Sequence, residues 1–140
     1  MAIHFFEEDI KYKLKEKNKF KGWIKGIALG EGYKIGELNY IFCSDEYLYN
    51  INVEYLDHDT YTDIITFDNS EEEDLVEGDI FVSIERIQDN ASTNNLPFET
   101  ELKRVISHGL LHLLGYKDKT PEEKSIMRSK ENEAINSFPS

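Results

Sequence analysis

The segment from residue 102 to residue 114 constrains the fold most strongly, because its apolar residues repeat with the period of a helix. They recur at i, i+3, i+4 and i+7, which predicts a helix with one side buried in the core. The residues of this predicted core face are Leu102, Val105, Ile106, Gly109, Leu110, Leu113 and Leu114. The helix is therefore expected to pack against another layer of the same domain.

Glycines mark both the middle and the end of this helix. A glycine inside a helix costs roughly 0.5 to 1 kcal/mol relative to alanine, so Gly109 predicts that the backbone of another element, a strand, approaches closely. Gly115 follows the last periodic leucine and is predicted to adopt the left-handed conformation that ends the helix. Thr120, Pro121 and Glu123 have the pattern of a capping box, which predicts that a second helix starts there.

The remaining segments predict an α+β fold, with a single mixed β-sheet of about four strands and helices packed on it. The predicted strands are "IHFFE", "IGELNYIFCS", residues 62 to 67 and residues 78 to 85. The acidic segment between the last two is predicted to join them as a long hairpin. At 140 residues the chain is expected to form a single domain, residues 1 to 140.

Charge and composition limit the function classes. A formal net charge of -12 and a pI near 4.7 argue against nonspecific coating of nucleic acid or of an anionic membrane. The positive charge is concentrated between residues 11 and 25, where any polyanion is expected to bind. The lysines of this segment are Lys11, Lys13, Lys15, Lys17, Lys19, Lys21 and Lys25, with Glu16 as the single acid among them.

The chain is expected to be cytoplasmic. A single cysteine, Cys43, excludes an internal disulfide and is compatible with a reducing compartment. The first residues lack the pattern of a secretory signal, and no apolar run approaches the roughly 20 residues that a membrane helix needs.

Two histidines on one flank of the predicted core helix indicate a metal site. His108 and His112 are four residues apart and are therefore neighbours on the helix surface. Asp118 follows in the short turn before the next helix, from which it can reach back to both. Two imidazoles and a carboxylate suit zinc, which in catalytic sites has three protein ligands and a water in the fourth position. His4 and His58 lack such partners and are interpreted as structural or surface residues.

The stretch "HGLLHLLGYKD", residues 108 to 118, resembles the hallmark HGxLHLxGYDH of the YbeY family of bacterial rRNA maturation factors. The segments "INVEYLDHDTYTDIITF" and "GDIFVS" are also similar to family segments, so the resemblance covers nearly the whole chain. It implies a mixed sheet flanked by helices and a metal-dependent endoribonuclease specific for single strands. It also implies one zinc ion held by His108, His112 and Asp118.

The resemblance further implies the partners. These are single-stranded rRNA and the small ribosomal subunit with its assembly proteins, in maturation of the 3′ end of 16S rRNA and in ribosome quality control. Neither DNA nor a membrane is expected as a partner. The catalytic residues stay open, apart from an expected metal-bound water, and so do the residues that bind substrate. Asp63, Asp79 and Thr62 match family positions, but helix caps and strand ends explain them equally well.

The chain departs from the family pattern at two places. The usual third histidine ligand is replaced by Asp118, and the aspartate before it by Lys117. The family's arginine aligns with Leu56, so another cation is expected to take its place, with Lys117 and Lys119 as candidates by position.

Two alternative functions stay open on the sequence. A zinc peptidase has the same ligand spacing, but its general base would stand where this chain has Gly109. The second alternative is a non-catalytic ribosome-assembly factor with a structural metal, although structural zinc normally has four protein ligands.

Overall fold

The computed structural model describes residues 2–56 and 62–139. The strands in these ranges are β1 (Ala2–Glu7), β2 (Lys34–Cys43), β3 (Ile64–Asp68) and β4 (Leu75–Ser83). The helices are α1 (Lys17–Gly30), α2 (Asp45–Leu56), α3 (Ile84–Thr93), α4 (Phe98–Leu113) and α5 (Pro121–Asn136). The predicted α+β class and the predicted strand number are confirmed. No helix in the described ranges combines the length and the apolar content needed to span a membrane.

The strands form one mixed sheet in the order β1-β2-β4-β3. β1 pairs with β2 and β2 with β4 in parallel, whereas β3 lies at the edge and runs antiparallel to β4. The predicted hairpin is therefore confirmed. The predicted strand over residues 78 to 85 is wrong at its end, because the Ser83 hydroxyl accepts a hydrogen bond from the Arg86 amide at 3.1 Å and starts α3.

Helices cover both faces of the sheet, because alternate strand residues point to opposite sides. On one face, the fully buried Tyr40 and Ile80 belong to the larger core together with Ile106 of α4. On the other face, Ile65 packs with Leu48 of α2 in a smaller core. The edge strand β3 is thus held between α4 and α2.

Gly109 permits a close approach of α4 to the sheet, but not in the way predicted. A Cβ atom at Gly109 would lie 2.6 Å from Ile64 Cδ1 and 3.0 Å from Ile80 Cγ2. The neighbours are therefore side chains of β3 and β4, and the predicted backbone contact is wrong. The predicted core face is also incomplete, since Leu111 is 1% exposed whereas Leu113 is only partly buried. Leu111 is buried because α1 and α5 adjoin it.

Candidate metal centre

The flank of α4 that the core leaves free carries two neighbouring histidines. The ring centroids of His108 and His112 are 4.6 Å apart, as expected for residues four apart on a helix. Their side chains are 22% and 28% exposed. Both imidazoles are thus partly desolvated and still accessible from solvent.

The end of α4 turns the chain back toward these histidines. Gly115 has φ +103°, the left-handed region that favours glycine. The Tyr116 amide donates to the Leu111 carbonyl and the Gly115 amide to the His112 carbonyl, both at 3.0 Å. These two bonds form a Schellman motif, and the predicted helix end is confirmed.

The start of α5 is fixed equally well. The Glu123 amide donates to Thr120 Oγ1 at 3.1 Å, and the Thr120 amide donates to Glu123 Oε1 at 3.0 Å. The predicted capping box is therefore confirmed, with Pro121 in the first turn. Asp118 thus lies in a short connection between two defined helix ends.

The structure brings the three predicted metal ligands together. Asp118 Oδ2 lies 3.3 Å from His108 Nε2 and 3.4 Å from His112 Nε2. The three ligand atoms all lie within 4.8 Å of one another. Two neutral imidazole nitrogens and one carboxylate oxygen fit the ligand preference of zinc. Asp118 is 39% exposed, so the cluster is open on one side. Their role as metal ligands stays a prediction.

An open cavity of about 420 Å³ lies over these ligands. Its walls come from the end of α2, from the edge strand β3 with the residues before it, and from α4. Leu56, the position at which the family resemblance implied an arginine, lies in this wall, as does the buried Asn52. Among the described residues that line this cavity there is neither lysine nor arginine. At Leu56 this wall therefore carries an apolar side chain.

Asp63 lies in the wall of this cavity and of the cavity next to it. Burial raises the pKa of Asp63 above its ordinary value, although the charge of His108 opposes this. Asn90 Nδ2 donates to Asp63 Oδ2 at 3.4 Å. Asp63 can thus hold a proton at a higher pH than an exposed aspartate.

The adjoining cavity, of about 460 Å³, is lined by residues that the sequence alone did not indicate. His108 and Asp118 line it together with Arg104, Arg128 and Glu131. Among the described residues that line the two cavities, Arg104 and Arg128 are the arginines, and there is no lysine.

The buried Glu131 of α5 pairs with the partly buried His108 of α4. Glu131 Oε2 lies 2.6 Å from His108 Nδ1. Burial alone would lower the pKa of His108, but the hydrogen bond and charge of Glu131 raise it above its ordinary value. Burial alone would raise the pKa of Glu131, but His108 and then Arg104 hold it below its ordinary value. The spacing of Met127, Glu131 and Ala134 at i, i+4 and i+7 indicates a buried face of α5, which could have revealed Glu131.

The other residues singled out from the sequence have local partners. Asp79 Oδ1 accepts from Asn39 Nδ2 at 3.0 Å across β2 and β4, which supports the structural interpretation. Thr62 Oγ1 donates to the Ile64 carbonyl at 3.3 Å, although Thr62 also lines the first cavity. His4 is 3.4 Å from Glu37 at the exposed sheet edge. His58 lies outside the described residues.

The lysines lie away from the two cavities. Lys21 and Lys25 line a cleft beside β1, at the edge of the sheet opposite β3. Lys117 and Lys119 are exposed and are not among the described residues lining either cavity. The expectation that they replace the family arginine stays a prediction by position.

Known proteins resemble this chain along nearly its full length. The family model described as endoribonuclease YbeY matches residues 2–139. An endoribonuclease YbeY from Cytophaga hutchinsonii is 55% identical, over 96% of this chain and 94% of that protein. One from Flavobacterium johnsoniae is 50% identical, over 95% of each.

A solution structure of a Thermotoga maritima protein has a similar fold. Its TM-score is 0.67 at 28% identity, covering 96% of this chain and 87% of that one. The expected resemblance is thus confirmed in both sequence and structure. The chain belongs to the endoribonuclease YbeY family.

Proposed function

We propose that residues 1 to 140 act as one cytoplasmic endoribonuclease domain that cuts single-stranded rRNA with the help of one zinc ion. Its role is maturation of the 3′ end of 16S rRNA and ribosome quality control, on the small subunit with its assembly proteins. The observation that carries this proposal is the cluster of His108, His112 and Asp118 at an open cavity, in a chain of an endoribonuclease family.

The residues around the cavity have distinct tasks in this proposal. His108, His112 and Asp118 hold the metal, which when bound polarises a phosphoryl oxygen and lowers the pKa of water. Asp63, whose pKa is raised by burial, holds or releases a proton beside the scissile bond. The open groove along the edge strand β3 admits an extended strand of RNA.

Arg128 is the cation best suited to contact an RNA phosphate. Its side chain is 63% exposed, and its nearest acid, Glu131, is 4.0 Å away. It lines the second cavity together with His108 and Asp118, and arginine suits phosphate because of its forked donors. Arg104 is less available, since its side chain is 16% exposed and 3.1 Å from Glu131. Arg128 thus takes over a role that Leu56 cannot fill.

Replacing Arg128 by glutamine is expected to weaken RNA binding and to reduce its salt dependence. For a single strand, each lost phosphate contact makes the negative slope of log affinity against log salt shallower by about 0.7. The slope is measured with a fluorescent oligoribonucleotide at several salt concentrations. Lys124→Gln, an exposed position one turn earlier on α5, serves as the control and is expected to change the slope less. Equal slopes for native protein and Arg128→Gln would contradict the assignment.

The two alternatives receive no support from membership in an endoribonuclease family. Gly109, the position where zinc peptidases carry their glutamate, faces Ile64 and Ile80. A purely structural metal is disfavoured by the open side of the cluster, since Asp118 is 39% exposed.

A cleavage assay with one RNA sequence in single-stranded and duplex form tests the proposed function. We expect cleavage of the single strand, its loss after a chelator removes the metal, and its recovery when zinc is added back. Elemental analysis is expected to find one zinc per chain. Equal cleavage after complete metal removal would refute the metal-dependent function, and equal cleavage of the duplex would refute the strand specificity.

A further inference from the structure

The carboxylate of Glu131 joins two residues of α4 that lie one turn apart. Its Oε2 is 2.6 Å from His108 Nδ1, and its Oε1 is 3.1 Å from Arg104 Nη1. Glu131 is only 4% exposed. A buried carboxylate with a partner on each oxygen has a defined orientation. The contact to His108 therefore has a fixed direction.

This contact decides which nitrogen of His108 is free. An ionised carboxylate only accepts hydrogen bonds, so a neutral His108 must carry its proton on Nδ1. Its Nε2 then keeps an available lone pair. The same Nε2 lies 3.3 Å from Asp118 Oδ2, on the side of the ring where the candidate ligands meet. The hydrogen bond on one side of the ring thus prepares the other side for a metal.

The two histidines differ in this respect. Within the part of the chain that the structure describes, the polar and ring contacts of the His112 side chain are with Asp118 and with the ring of His108. The hydrogen-bonded carboxylate behind the ring is thus a feature of His108, at the side of the site next to α5 and the second cavity.

We propose that Glu131 is a positioning residue that fixes the ring orientation and the proton position of His108, so that its Nε2 can bind the metal. This inference rests on the proposed metal site and adds to it a residue from α5. Carboxylates behind metal-binding histidines have this effect in general, and their loss costs roughly 10- to 100-fold in metal affinity.

The variant Glu131→Gln tests the proposal because a carboxylate accepts hydrogen bonds at both of its oxygens, whereas an amide accepts at its oxygen and donates from its NH₂ group. Arg104 only donates, so it is expected to keep the amide oxygen. The amide NH₂ then faces His108 Nδ1 and moves the ring proton to Nε2, the wrong nitrogen for binding. We expect about 10- to 100-fold weaker zinc binding, measured by competition with a chromophoric chelator. We also expect the change of tautomer in nitrogen-15 NMR spectra of the metal-free protein, at a pH where the imidazoles are neutral.

Two further variants separate positioning from mere structural support. Arg104→Met combined with Glu131→Gln frees the amide oxygen for His108, so it is expected to restore the original tautomer and much of the zinc affinity. Met127→Ala, one turn earlier on α5 and also buried, loosens the packing without touching His108. It is expected to leave both the tautomer and the zinc affinity unchanged.

The outcomes distinguish this proposal from the proposed function, since neither measurement uses RNA. If Glu131→Gln unfolds more easily but keeps the native tautomer and zinc affinity, Glu131 is only structural and the inference fails. A native protein that holds zinc yet does not cut RNA would refute the proposed function while leaving the inference intact.

Discussion

Replacing both His108 and His112 by alanine is expected to abolish zinc binding and to slow RNA cleavage about a thousandfold. The reason is that a metal ion contributes several kcal/mol of charge stabilisation in the transition state, and about 4 kcal/mol corresponds to three factors of ten. The rate is measured on a single-stranded oligoribonucleotide with enzyme in excess. His4→Ala, on the exposed edge strand β1, is the matched control and is expected to retain full activity. Full activity of the double variant would refute the site.

The third candidate ligand, Asp118, can be tested by measuring zinc binding together with the same cleavage rate. Asp118→Ala is expected to weaken zinc binding strongly, because only two donors are left. Asp118→His puts an imidazole, which also binds zinc, in the place of the carboxylate, so this variant is expected to keep both the metal and the cleavage. If the Asp118→Ala variant binds zinc as tightly as the native protein, Asp118 is not a ligand.

Replacing Gly78 by alanine is expected to destabilise the fold by about 2 to 3 kcal/mol, as overpacking of a core typically does. A Cβ atom at Gly78 would collide with the carbonyl oxygen of Phe67 in β3. That oxygen belongs to the backbone and cannot rotate away, so β3 must shift relative to β4. The free energy of unfolding is measured by urea denaturation. The cavity wall from Asp63 to Thr66 would shift with β3, so cleavage is expected to fall as well.

Gly26→Ala provides a control with the opposite sign. Gly26 is exposed inside α1, and a Cβ atom there would have no neighbour within 4 Å. Alanine is favoured over glycine inside a helix by roughly 0.5 to 1 kcal/mol, so this variant is expected to be more stable than the native protein. If the Gly78→Ala variant is as stable as the native protein, β3 can shift relative to β4 without a loss of unfolding free energy, and the prediction is wrong.

The sequence predicts the parts of the site that depend on local spacing. The separation of His108 and His112 follows from helix geometry, and the turn before Asp118 follows from Gly115 and Thr120. Contacts between distant segments could not be predicted in this way. Nothing local indicates that Ile64 and Ile80 lie against Gly109, because strand order is a property of the whole sheet.

Glu131 is the clearest example of a residue whose partner only the tertiary structure identifies. Helix α5 carries several glutamates, among them Glu122 and Glu133, and their type alone does not separate the buried one from the exposed ones. Glu131 is buried because it shares a face with Met127, and its partner His108 is 23 positions away in the chain. Helical spacing narrows the choice, but the pairing requires the packing of α5 on α4.

The Schellman turn has a consequence for folding. Because it reverses the chain directly after α4, all three candidate ligands come from a single stretch of eleven residues, His108 to Asp118. Closing so short a loop loses little chain entropy, and contacts this local form early. A metal at these candidate ligands would thus need only α4 and its turn to bring the three side chains together, and α5 would then add the carboxylate of Glu131 behind His108.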